Sequence, residues 1–175
     1  MPDGKGKSKM RHIISVLVEN KFGVLAKVAG LFSGRGYNIE SLCVGETMDP
    51  TVSRMTIVTT GDDRILEQIN KQLNRLVDVI KVQDFTDKPF VDRELVLIKT
   101  EASSKNRAEI LEMADIFRAK IIDVNPETLT LEATGDQNKI EALIDLLRPY
   151  GIRELVRTGR VAIARGAKAL KSLKG

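Results

Sequence analysis

The chain has no tryptophan, one cysteine and one histidine, and aromatic residues make up only 4% of its 175 positions. Each scarcity excludes something. A lone Cys43 cannot close an internal disulfide, and its neighbours Leu42 and Val44 mark it as an ordinary strand residue. His12 has no companion cysteine or histidine at ligand spacing, which argues against a zinc site. With so few rings to stack bases, no nucleic-acid partner is expected. No apolar run is long enough to span a bilayer and no secretory leader opens the chain, so a cytoplasmic protein without membrane contact is expected.

Charge of one sign is also missing where a nucleic-acid surface would need it. The total is +4, but the first eleven residues carry a net +3 and the last nineteen a net +6, which leaves the stretch between them at net −5. The basic ends read as solvated tails. Arg165, Lys168, Lys171 and Lys174 recur beside Leu170 and Leu173 in the pattern of an amphipathic partner-binding helix, but a frayed tail is the favoured reading.

Catalytic constellations are lacking as well. No nucleophile sits with a base, and Asp62, Asp63 and Asp136 read as turn and cap residues. Gly30, Gly34 and Gly36 match neither dinucleotide nor P-loop spacing, and they fall at a helix end, whereas phosphate binds at a helix start. No catalytic or metal-binding residue is assigned.

What is present is a repeat. Ile13 to Val18 forms a β-branched run, Val24, Leu25, Val28, Leu31 and Phe32 recur at helical spacing, and Tyr37, Ile39, Leu42 and Val44 alternate. Gly34 and Gly36 are expected to stop the helix. Ser53 to Thr60 is a further strand, Ile65, Leu66, Ile69, Leu73 and Leu76 a helical stripe, and Val77 to Phe85 a strand. The order then recurs: RELVLIKTE answers the first strand, Ala108 to Ala119 the first helix, and VTTGDDRILEQINKQLNRL faces EATGDQNKIEALIDLLRPY. The fold class is α+β, a tandem pair of ferredoxin-like βαββαβ domains, each an antiparallel sheet with its helices on one face. The expected boundaries are a disordered basic tail over 1–10, a first domain over 11–87, a linker over 88–92, a second domain over 93–164 and a basic tail over 165–175. Copies of this size sit near the lower limit for a self-sufficient core, and their edge strands invite pairing with a second chain.

The turn before the first helix carries the candidate site. The N–H groups of Gly23, Val24 and Leu25 point out of the helix N-terminus, where the dipole favours a carboxylate, and Gly23 lets a ligand come close to the backbone. Asn20 and Asn38 carry side-chain carbonyls that accept from an ammonium group, and Val24, Leu25 and Ile39 supply apolar surface. Together these describe a free aliphatic amino acid. The plainer reading is that Asn20 caps the helix and Asn38 turns the chain.

At these residues a family becomes recognisable. The runs SVLVENKFGVLAKVAGLFSGRGYNIESL and DPTVSRMTIVTTGDDRILEQINKQLNRLVDVIKV closely resemble the N-terminal ACT domain of acetolactate (acetohydroxyacid) synthase small subunits. RELVLIKTEA, IFRAKIIDV and RTGRVAIARG resemble the C-terminal domain of the same family, so the resemblance spans roughly residues 10–168. It implies a noncatalytic regulatory subunit in valine, leucine and isoleucine biosynthesis, which activates a catalytic (large) subunit and confers feedback inhibition by valine. It further implies a homodimer through ACT domains, with valine held between Asn20, Gly23, Val24 and Leu25 of one chain and Asn38 and Ile39 of its neighbour. Thiamine diphosphate, magnesium and FAD are implied for the catalytic partner, and no cofactor for this subunit. Three rivals are a stand-alone ACT-type amino-acid sensor, an acylphosphatase-like hydrolase, which needs an arginine in the loop where this chain has only Lys21, and an RRM-like module, which needs the missing aromatics.

Overall fold

A computed structural model describes residues 10–170. The first unit runs β1 (Met10–Glu19), α1 (Val24–Gly34), β2 (Ile39–Glu46), β3 (Val52–Gly61), α2 (Asp63–Arg75) and β4 (Val79–Asp84). Its four strands are antiparallel in the order β2-β3-β1-β4, which leaves β2 and β4 as edges. Strand alternation sends Ile14, Val16 and Val18 of β1 and Met55 and Ile57 of β3 to one face. Val24, Val28 and Phe32 of α1 and Leu66, Ile69 and Leu73 of α2 pack there, since each set falls on one side of its helix.

Two details differ from expectation. Gly34 is the last residue of α1 and not a terminator; Gly36, at φ 69°, takes the left-handed position. There the Gly36 N–H donates to the Ser33 carbonyl and the Tyr37 N–H to the Phe32 carbonyl, at 3.2 and 2.9 Å, which satisfies the helix end. His12 lies inside β1 and is 1% exposed, with its ring nitrogens 3.0 Å from Thr86 Oγ1 and 2.9 Å from the Gly61 carbonyl oxygen.

On the other face of the first sheet Ile13, Val58 and Phe85 form a small cluster with Ala162, and Phe90 and Ala164 pack against it. Arg54 crosses this face. Its Nε donates to Ser15 Oγ at 2.7 Å and its Nη2 to the Ala162 carbonyl at 2.8 Å, and burial pushes the guanidinium pKa down. Residues 162–170 therefore group with the first unit, and the second unit is Asp92–Val161. This division by packing differs from the expected limits of 93–164 for the second domain and 88–92 for a linker. Phe90 already starts a strand, and its ring lies 5.5 Å from that of Phe85, so apolar packing occupies the stretch read as linker.

The second unit contains β5 (Phe90–Glu101) from Asp92 onward, α3 (Arg107–Ile116), β6 (Lys120–Val124), β7 (Thr128–Gly135), α4 (Gln137–Leu147) and β8 (Ile152–Arg157), and β9 (Val161–Ala164) pairs with β5. The strand order β6-β7-β5-β8 repeats that of the first unit. Val96, Ile98, Leu129 and Leu131 meet Ile110, Ile140, Leu143 and Leu147 in a separate core. Near the end of the unit Arg160 is held by Asp92 and Gln137.

Of the expected basic tails, residues 1–9 and 171–175 lie outside the described residues. Met10 opens β1, and 165–170 form a bend and turn, not the start of an amphipathic helix.

Candidate functional site

The turn from Asn20 to Gly23 joins β1 to α1, and its geometry follows from one residue. Gly23 is the N-cap of α1 at φ 83°, a left-handed conformation that an L side chain resists, and nothing lies within 4 Å of where its Cβ would be. No side chain caps the helix. The capping role open to Asn20 is therefore not the one it plays. The Val24 N–H makes a long 3.4 Å contact with the Lys21 carbonyl, and the N–H groups of Gly23, Leu25 and Ala26 find no partner among the described residues. These donors stand at the positive end of an eleven-residue helix, a setting suited to a carboxylate.

Asn20 is gripped by the loop between β2 and β3. Its N–H donates to the Thr51 carbonyl at 2.8 Å, and its Nδ2 donates to the Pro50 carbonyl at 2.9 Å and to Glu46 Oε1 at 3.1 Å. Oδ1 has no partner among the described residues. Lys21 turns away to Glu19 at 2.6 Å, and the hydrogen bond with Glu19 raises its pKa. The only base of the turn is thus already paired, and a phosphate-holding loop of the acylphosphatase kind finds no free cation there.

The apolar residues divide. Val24 is 4% exposed and its side chain belongs to the core, so it can offer a ligand only backbone; Leu25 is 46% exposed beside the turn. Phe22 stands fully exposed.

Asn38 and Ile39 are not brought to this place. Glu46, at the far end of β2, is the residue beside Asn20, and β2 runs from there back to Ile39. Seven residues of strand separate the two, roughly 23 Å at about 3.3 Å per residue. The Asn38 carbonyl accepts from Thr59 Oγ1 at 2.6 Å, its side chain is exposed, and Ile39 packs against the core. Within one chain the candidate residues form two half-sites at opposite ends of an edge strand.

Glu46 and Pro50 were not singled out from the sequence. The one local signal was the Asp49, Pro50, Thr51 turn: Asp49 Oδ1 accepts from the Thr51 N–H at 2.9 Å and from Thr51 Oγ1 at 2.7 Å, which fixes where the Pro50 carbonyl points.

Among the described residues no group of three or more His, Cys, Asp or Glu side chains could hold a metal ion, and no helix is long and apolar enough to cross a membrane.

Known proteins resemble the chain along both units. Residues 14–81 match the family model of the AHAS small subunit-like ACT domain, and residues 93–166 match that of the small subunit of acetolactate synthase. A probable acetolactate synthase small subunit of Methanothermobacter thermautotrophicus is 54% identical over 160 residues, covering 91% of this chain and 95% of the relative. The acetolactate synthase small subunit of Aquifex aeolicus is 55% identical over 156 residues, covering 89% and 81%. The crystal structure of the small subunit from Thermotoga maritima superposes with a TM-score of 0.82 at 44% identity, covering 91% of this chain and 99% of that one. With its tandem βαββαβ architecture and its open turn before α1, this chain belongs to the acetolactate synthase small-subunit family.

Proposed function

We propose that this chain is the noncatalytic subunit through which valine inhibits acetolactate synthase, and that it also activates the catalytic large subunit. The observation that carries the reading is the separation of the half-sites. β2 is an edge strand that pairs with β3 alone among the described strands, and Leu25 and Val44 expose apolar surface on the adjoining helix and on the strand itself. If two copies pair their β2 edges antiparallel, the Asn20 and Gly23 end of one chain comes to lie against the Asn38 and Ile39 end of the other. Each seam then holds amide donors for a carboxylate, asparagine carbonyls for an ammonium group, and Leu25 and Ile39 for a branched side chain. Twofold symmetry makes two such sites per dimer.

Regulation follows by linkage. Valine that prefers one arrangement of the ACT pair shifts the equilibrium of whatever the pair is attached to, and a coupling of about 1–3 kcal/mol is typical. Thiamine diphosphate, magnesium and FAD are assigned to the catalytic partner, and the assembly to the cytoplasm.

Complementation tests the split site. Gly23→Asp places a carboxylate where the effector carboxylate binds and strains the turn, and Asn38→Ala removes the acceptor on the other half. Calorimetry should find valine binding lost in the first and weakened at least about fivefold in the second. Mixed in equal amounts and allowed to exchange, the two variants should recover about a quarter of the wild-type sites, because each mixed dimer has one intact seam. Unchanged affinity in Gly23→Asp, or no recovery on mixing, refutes the arrangement.

A further inference from the structure

We infer that Glu46 is a positioning residue for the effector site: together with the Pro50 carbonyl it takes both protons of the Asn20 amide, and so fixes Asn20 Oδ1 as an acceptor facing the ligand. The inference rests on the reading of the site proposed above and adds to it the feature that selects a free amino group. A carbonyl and a carboxylate can only accept hydrogen bonds, and Asn20 Nδ2 lies 2.9 Å from the one and 3.1 Å from the other. Turning the amide over would set Oδ1 against both oxygens, so the orientation follows from chemistry. Asn20 cannot drift from these partners either, because its own N–H is anchored on the Thr51 carbonyl and the Asp49 turn holds Pro50 and Thr51 in place.

The consequence is a polarity. Asn20 offers a ligand an acceptor and no donor, and the Glu46 carboxylate behind it adds negative charge. A ligand with an α-ammonium group is matched. A branched 2-oxo acid has the same carbon skeleton and carboxylate but presents an oxygen at that place, and it is refused. A ligand carrying a second carboxylate on that side is repelled by Glu46 as well.

The test is titration calorimetry of the full chain with L-valine and, separately, with 3-methyl-2-oxobutanoate, on wild type, Glu46→Ala, Glu46→Gln and Asn20→Ala, with unfolding midpoints confirming that each variant is folded. Wild type should bind valine and discriminate against the oxo acid. Glu46→Ala should weaken valine about five- to tenfold and narrow that discrimination, since the amide is freed to turn, whereas Glu46→Gln retains an acceptor for Asn20 and should stay within about twofold of wild type. A Glu46→Ala variant with wild-type affinity and discrimination, or a Glu46→Gln variant as impaired as Glu46→Ala, overturns the role of Glu46; in either case a loss of binding in Asn20→Ala leaves the site itself standing. Asn20→Ala binding valine as tightly as wild type overturns the site and this inference with it.

Discussion

The two βαββαβ units share a strand order and differ at one turn. In the first, α1 starts at a left-handed glycine with no side-chain cap, and three of its first N–H groups are unengaged among the described residues. In the second, α3 also lacks a side-chain cap, but the side chains of the matching turn bond back to the chain itself. Asn106 Oδ1 accepts from the Ser103 N–H at 2.7 Å, and Arg107 donates to the Ala102 and Asn125 carbonyls at 3.0 and 2.6 Å. A ligand approaching there would meet a guanidinium already hydrogen-bonded to main chain. The same topology therefore yields a glycine-started turn in one copy and an arginine-bridged turn in the other, and the residues at the helix start decide which.

The later halves of the units behave in the opposite way. Asp62 and Asp136 cap α2 and α4 with the same bond, each accepting from the N–H three residues on at 2.9 Å. Gly61 and Gly135, one residue earlier, are both places where a Cβ would press on the helix, at 2.9 Å from Ile65 Cγ2 and 2.5 Å from Lys139 Cδ. The repeated TGD triplet is thus a packing and capping device. Its likeness in the two copies reports a shared structural requirement, whereas the turns before α1 and α3 diverge in sequence and in bonding.

Three sets of substitutions press on this comparison. The largest effect belongs to the glycines: Gly61→Ala should lower the free energy of unfolding by about 1–3 kcal/mol, because the branched Ile65 cannot yield, while Gly135→Ala should fall at the low end, because the flexible Lys139 chain can swing aside. Urea unfolding that ranks them the other way breaks the account of the triplet. The caps come next. Asp62→Ala and Asp136→Ala should each cost about 1 kcal/mol, and a cost confined to one of them would show that the two helix starts are not equivalent. The smallest effect, and the only gain, concerns the ends of α1 and α3. Arg118 holds φ 54° where the first unit has Gly36, and the Ala119 N–H reaches the Ala114 carbonyl at 2.8 Å as Tyr37 reaches Phe32. Arg118 is exposed and has no side-chain partner among the described residues. Arg118→Gly should therefore raise the free energy of unfolding, read from urea titration, by about 0.5–1 kcal/mol once the chain entropy of glycine is set against the relieved strain.

The architecture was legible because its signals are local. Leu66, Ile69 and Leu73, and their counterparts Ile140, Leu143 and Leu147, were readable as helical stripes, and all six are buried. The turn at Gly23 was readable too, since a glycine immediately before an apolar stripe marks an unusual helix start. Glu46 and Pro50 were not, because they lie 26 and 30 residues from the asparagine they hold and no periodicity links them. The same holds for His12, whose partners Gly61 and Thr86 are 49 and 74 positions away, and for the docking of β9. A sequence pattern tells which face of an element is apolar; it does not tell which distant segment will cover it. Val24 shows the converse limit. Its place at the start of α1 suggested a ligand wall, but helical geometry turns the first apolar residue of the stripe inward.

The Arg54 clasp on the Ala162 carbonyl has a consequence for the order in which the molecule is made. Ile13 and Val58 belong to the earliest strands to leave the ribosome, yet the alanines that cover them are translated about a hundred residues after Val58. Until β9 emerges, Phe85 and Phe90 alone pack over that part of the nascent first sheet, and a chain stopped near Thr158 would keep it so.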